Sequence, residues 1–244
     1  MLQGKTGCAV EASFDQYATV YDAALAEGIS VSGESKDFFA LGRVRWLQGQ
    51  LSALGLRAET VLDFGCGIGT ASPHILSILE PESLVGVDVS ADSIKRAGAE
   101  HADERVRFFH TEDYIPNAQV GLAYCNGVFH HIPPGERAAA LDYVYRCLRP
   151  GGLFAFWENN SWNPATRYVM SRCPFDQDAI PVAPTEARRL LRASGFELLR
   201  TDFMFIFPRC LRWFRGIEPL VSSLPLGTQY QVLCRKPAAS NRHK

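Results

Sequence analysis

An apolar stretch running straight into three closely spaced glycines constrains this chain more than any other feature. Residues 61–70 read VLDFGCGIGT. Glycines at 65, 67 and 69 let the backbone turn tightly and let a ligand approach with no side chain between. Such a loop leaves a strand end and feeds a helix N-terminus, where doubly wound sheets bind ligands. Asp88 follows Gly69 by 19 residues (88 − 69), at the end of the next apolar run. A carboxylate there can accept both hydroxyls of a ribose. A dinucleotide fingerprint reads G-x-G-x-x-G or A, and here Thr70 stands at its last position. Asp63, two residues before the first glycine, would repel a pyrophosphate and attract a cationic amine. The loop therefore fits a nucleoside carrying an amino acid better than a dinucleotide.

The rest of the chain alternates to suit this loop. Phe38, Leu41, Val44, Leu47, Leu51 and Leu54 recur at three- and four-residue spacing, predicting one apolar helix face stopped by Gly55. Residues 71–80 read as a helix and 83–90 as a buried strand, and Ser90 is placed to cap a helix over 91–101. Strands are expected at 106–110, within 120–129, and at 153–157. Pro134 suits the first turn of a helix through residue 148, which RPGG at 149–152 breaks. Thr185 is expected to cap a helix over 185–196. Two late strands, at 197–207 and 228–236, have no clear helix pattern between them, so an antiparallel edge is expected. Alternation over residues 59–157 argues for a mostly parallel sheet with helices on both faces.

Composition excludes several functions. With 244 residues, 47% of them hydrophobic, the chain can bury one sizeable core. A formal net charge of −1 offers no basic stripe for nucleic acid. Arg209, Arg212 and Arg215, interleaved with Trp213 and Phe214, read as a solvated face over a packed one. The seven cysteines are scattered and form no C-x-x-C pair, which argues against a disulfide framework and a zinc cluster and for a reducing, cytoplasmic setting. No secretory signal is apparent, and no apolar run of about eighteen residues marks a membrane span.

VLDFGCGIGT, VGVDVS (85–90), FHHIP (129–133) and LRPGGLFAF (148–156), in this order and spacing, resemble the class I S-adenosylmethionine-dependent methyltransferases. The resemblance covers residues 59–157 by motif. It implies an α/β fold: a doubly wound, mostly parallel, seven-stranded Rossmann-like sheet with an antiparallel last strand and a helical and loop cap. Residues 1–58 would form an N-terminal helical cap and lead-in helix. Residues 59–235 would form the core, with cap insertions at about 158–184 and 207–228, and 236–244 a tail. The implied cofactor is S-adenosyl-L-methionine. Asp63, Gly65, Cys66 and Gly67 would hold its methionine end, Asp88 its ribose, and Val89 would lie beside its adenine. The acid that relatives carry after the third strand is replaced here by Thr111, followed by Glu112 and Asp113, so that segment or its backbone is the candidate adenine contact. Gly121 stands where the family often has Asp. Asn126 falls where backbone carbonyls face the cofactor. A Tyr near Tyr21 closes over the cofactor in relatives, and a basic residue near Arg43 pairs with its carboxylate. Aromatic core and surface arginine are the competing readings.

Substrate choice in such folds lives in the additions. Tyr17 shares a helix face with Tyr21. Glu158, Asn159, Trp162 and Tyr168 mix polar and aromatic surface after the fifth strand, suited to a small organic acceptor. His131, with His130 second, is the candidate general base for a hydroxyl acceptor. The competing reading is that the pair closes the strand end. Adjacent histidines chelate a metal poorly, and no metal is expected. Four functions compete: small-molecule methylation, other S-adenosylmethionine chemistry such as group transfer or cyclisation, macromolecular methylation, and cofactor sensing without catalysis. The first is preferred. The oligomeric state is left open.

Overall fold

The computed structural model describes residues 32–173 and 179–238. The expectations for Tyr17 and Tyr21 lie outside the described residues. Helix α1 (Lys36–Ala53) starts at Ser35, whose side chain accepts the Phe38 amide. There follow β1 (Thr60–Phe64), α2 (Ser72–His74), β2 (Ser83–Asp88), α3 (Ala91–Glu100), β3 (Val106–His110), β4 (Val120–Asn126) and α4 (Arg137–Cys147). The second half carries β5 (Leu148–Asn159), α5 (Pro164–Arg172), α6 (Pro184–Ala193), β6 (Glu197–Met204), a 3-10 helix (Arg209–Ile217), α7 (Glu218–Val221) and β7 (Gln229–Arg235).

The seven strands form one sheet in the order β3-β2-β1-β4-β5-β7-β6. The pairs from β3 through β5 are parallel. β7 runs antiparallel to both β5 and β6. The antiparallel last strand and the antiparallel pairing at that edge of the sheet agree with the sequence reading. β7 inserts between β5 and β6, and β6 takes the edge. Strand order reverses between β1 and β4, and doubly wound sheets bind ligands at such a switch point.

Both faces of the sheet are covered, so the central strands are apolar on each side. Leu153, Ala155 and Trp157 of β5 join Val44, Leu47 and Leu51 of α1 in one core. Phe154 and Phe156 face the other way, with Leu141 and Val144 of α4 and Leu191 of α6.

Several local expectations change. Ser90 caps α3 as expected, accepting the Ser93 amide. Thr185 does not cap α6: Ala183 is the cap residue and Pro184 opens the first turn. Pro134 lies in a separate turn, closed by the Glu136 amide on the Pro133 carbonyl, before α4 begins. The helix over 71–80 widens into a π-helix at Ile75–Leu79. The 3-10 helix has no buried residue, so the aromatic residues beside Arg212 do not form a packed face.

The buried face of α1 is not purely apolar: it includes Arg43 and Gln50, while Leu54 is exposed. Buried Asp202 of β6 explains Gln50. Its carboxylate accepts from Gln50 Nε2 at 2.7 Å, Trp46 Nε1 at 3.3 Å and Ser222 Oγ at 3.2 Å, and pairs with Arg200 at 2.6 Å. These bonds tie α1 to the sheet edge. Asp202→Ala leaves the buried Gln50 amide unpaired and is expected to lose about 2–4 kcal/mol in urea unfolding. A loss below about 0.5 kcal/mol would show that the network does not hold α1.

Candidate functional site

The glycine loop sits where β1 ends beside β2 and β4. Gly65, Gly67 and Gly69 all have positive φ, at 71°, 52° and 79°. The amides of Gly65 and Cys66 both donate to the Val87 carbonyl, which pins the loop to β2. A Cβ on Gly65 would collide with Val128, whereas one on Gly67 would meet nothing within 4 Å. The first glycine is thus demanded by packing. The second keeps an open approach to the backbone.

Asp88 closes this loop. Its Oδ2 accepts the Gly67 amide at 2.8 Å and its Oδ1 the Ser90 amide at 2.9 Å. Each carboxylate oxygen has a further lone pair for a ligand hydroxyl. Burial raises the Asp88 carboxyl above the ordinary value, while the Ser90, Gly67 and Val89 amides and His110 pull it down.

Asp63 is 2% exposed, and its Oδ2 has no partner among the described residues. Burial first, then the charge of Asp88, raises its carboxyl to about 7, with Arg43 opposing. A buried carboxylate with one unpartnered oxygen is a receptor for a cationic donor. Cys66 is buried, and burial, with Asp63 and Asp88 behind it, holds its thiol well above its usual value. It packs against the loop and is no nucleophile.

Arg43 is buried, not a surface arginine. Its Nε donates to Tyr124 Oη and its Nη1 to Gln229 Oε1, both at 2.9 Å. The guanidinium is thereby fixed near Asp63, whose carboxyl its charge pulls down. Tyr124 and Gln229 were not legible as site residues, since each sits within an apolar strand pattern. Among the described residues Asn126 Oδ1 is buried without a partner, as are Trp157 Nε1 and both amide atoms of Gln231. In register, Asn126, Trp157 and Gln231 form one row across β4, β5 and β7.

Val89 is partly exposed on the expected adenine side. His110, absent from the sequence reading, organises this rim. Its Nε2 lies 2.9 Å from the Val89 carbonyl, and its Nδ1 lies 3.4 Å from the Glu112 amide. These contacts fit an imidazole protonated on Nε2. The Thr111 amide donates to the Asp88 carbonyl, and the Thr111 carbonyl accepts from Tyr143 Oη. The Glu112 and Asp113 side chains are exposed.

After β4 the chain turns through His130 and His131. His130 is 4% exposed, and its Nδ1 lies 2.7 Å from Glu158 Oε2. Glu158 Oε1 also accepts the Phe129 amide at 2.8 Å and the His130 amide at 3.3 Å. Burial pushes the Glu158 carboxyl up, but His130, His131 and the Phe129 amide outweigh it and hold it below its usual value. Glu158 is therefore not on the substrate wall as expected: His130 Nδ1 and the Phe129, His130 and Asn159 amides turn it inward, and it positions the histidine turn. The His131 ring lies 4.1 Å from that of His130, centroid to centroid, and is half-buried. Asn159 accepts from Gln229 Nε2 at 3.4 Å. Trp162 stacks over Phe203, and Tyr168 lies under the Arg172 guanidinium, both at the exposed rim.

Residues 62–154 match the family described as "Methyltransferase domain". The trans-aconitate 2-methyltransferase of Azoarcus sp. (strain BH72) is 30% identical over 119 residues, 48% of this chain and 46% of that protein. The carboxy-S-adenosyl-L-methionine synthase of Chromohalobacter salexigens is 31% identical over 125 residues, 44% of this chain and 45% of that protein. The chain thus spans about half the length of these relatives. The plantazolicin methyltransferase BamL, solved with a desmethyl analogue and SAH, shares the fold at a TM-score of 0.63 and 16% identity, covering 93% of this chain and 97% of that one.

The raised Asp63 carboxyl has a sign. Between the unfolded value of 3.8 and about 7, the native state holds a proton that the unfolded state has released. Stability therefore falls as pH rises through that interval. Asp63→Asn removes this slope: in chemical denaturation, the loss between pH 5 and pH 8 should shrink by on the order of 2 kcal/mol. Identical slopes in both proteins would refute the assignment.

Proposed function

We propose that this chain, a member of the class I S-adenosylmethionine-dependent methyltransferase family, moves the sulfonium methyl to a small organic acceptor by in-line displacement. The observation that carries this reading is the constellation of Asp63, the open backbone at Gly67, and Asp88. S-adenosylmethionine supplies, when bound, an electrophilic methyl that needs alignment more than activation. The residues present fit it. Asp63 Oδ2 meets the ammonium, the Arg43 guanidinium the carboxylate, Asp88 the ribose hydroxyls, and the Val89 to Asp113 rim the adenine. Asn126, at the end of β4, would face the cofactor.

The histidine turn supplies acid–base function. Glu158 holds His130 through Nδ1, which leaves the basic lone pair of a neutral ring on Nε2. His130 is nearly enclosed, whereas His131 is half-buried and stacked upon it. His131 is thus the group an acceptor hydroxyl reaches, and Glu158 and His130 fix its position. Asn159, Trp162 and Tyr168 form the acceptor side. A small organic acceptor, though not specifically a hydroxyl, is in keeping with the name of the trans-aconitate methyltransferase relative.

A second reading is other chemistry on the same cofactor. The name of the carboxy-S-adenosyl-L-methionine synthase relative favours it. The coproduct separates the two: S-adenosylhomocysteine accompanies methyl transfer.

Calorimetry with S-adenosylmethionine tests the cofactor site. Asp88→Ala should weaken binding about tenfold or more, from lost charge-assisted hydrogen bonds. Wild-type affinity in that variant would sink the site. For a hydroxyl acceptor, His131→Ala should lower kcat by about 100-fold or more with cofactor affinity kept. Turnover that is unchanged across pH would remove the base role and leave alignment alone.

A further inference from the structure

The connection between β6 and β7 is built unlike the rest of the molecule. Its 3-10 helix buries no residue. Leu220 is 83% exposed, Trp213 74%, and Phe214 and Leu226 each 52%. A run of large apolar side chains turned to solvent marks an interaction surface. Its charges have one sign. Between residues 205 and 228 the sequence holds Arg209, Arg212 and Arg215 against the single acid Glu218. Glu218 is buried and turned inward, accepting the Phe207 amide. The Arg212 guanidinium lies 5.7 Å from the Trp213 ring centroid, so charge and aromatic surface are presented together. Arg215 is held by Glu34 at 2.8 Å, which leaves Arg209 and Arg212 as the exposed cations.

From this composition we infer that the 209–226 surface docks onto an anionic lipid bilayer. Aromatic and leucine side chains enter the headgroup boundary, and arginines meet lipid phosphates, as in interfacial amphipathic helices. A second copy of this chain fits less well: an isologous contact would bring together two patches whose exposed charges have the same sign. A folded protein partner also fits less well. Such interfaces balance charge across a polar rim, whereas the exposed charges of this patch, Arg209 and Arg212, have one sign and no exposed carboxylate between them. Among the described residues no helix is long and apolar enough to cross a membrane, so the attachment is peripheral. Asn160 Nδ2 donates to the Gly227 carbonyl at 2.8 Å, and Asn163 Nδ2 to that of Leu226 at 2.7 Å. The docking surface is thereby joined to the exit of β5 and lies on the acceptor side of the crevice. The inference does not depend on which reaction the crevice performs.

Co-sedimentation of the full chain with vesicles tests it, using phosphatidylcholine alone and phosphatidylcholine containing phosphatidylglycerol. Binding is expected to the anionic vesicles and to weaken with added salt. The double variant Trp213→Ala, Leu220→Ser should bind on the order of tenfold or more weakly, with an unchanged thermal midpoint because both positions are exposed. Arg212→Gln should lower the preference for anionic vesicles. Three results overturn the proposal: no sedimentation at low salt, equal binding to both vesicle types, or full binding by the double variant. A concentration-dependent dimer lost in the double variant, without vesicle binding, overturns it in favour of self-association.

Discussion

The contact on which the crevice depends is the Asp88 carboxylate bridging the Gly67 and Ser90 amides. It joins the glycine loop after β1 to the end of β2 and the first turn of α3. Three elements far apart in sequence are thereby set at one corner of the sheet. The bond costs burial of a charge, and the raised carboxyl of Asp88 records that cost. Two backbone amides compensate for part of it, which is why the loop can stay turned while Gly67 leaves its flank open.

Three carboxylates at this end of the sheet, Asp63 and Glu158 buried and Asp88 half-buried, show how environment assigns different work to one functional group. Asp63 has an oxygen without a partner and is pushed up to about 7. Asp88 is shared between two amides and is raised. Glu158 faces two histidines and several amides and is lowered. Burial penalises all three, so the neighbours decide the outcome. Receptor for a cation, anchor for a loop and brace for a histidine turn follow from donors present or missing.

The sequence made the β1 loop, Asp63, Asp88 and the sheet class legible because these use short-range chemistry: glycine where φ is positive, and acids at strand ends. It made Arg43 legible only as an open alternative, because its partners Tyr124 and Gln229 come from β4 and β7, 81 and 186 residues away. Glu158 was misread for a related reason. An acid after a strand looks like a site residue, and only the returning turn at 129–131 shows that its donors lie within the protein. His110 gave no signal, since a lone histidine closing a strand is common. The place of β7 was also hidden: an antiparallel strand pairs equally well at an edge or between two others.

That interior place for the last strand bears on how the chain assembles. β5 has residues 153–159, on the edge away from β4, paired with β7, the final strand of the sheet. Until residues 229–235 arrive, an apolar strand in the middle of the fold presents unsatisfied amides and carbonyls. β6, though made earlier, has only β7 to join it to the sheet. The sheet therefore closes from its C-terminal strand inward, through contacts of long sequence separation, which fold slowly. During synthesis this interval leaves an open strand edge of the kind that invites wrong pairing. The nascent sheet is most vulnerable just before β7 leaves the ribosome.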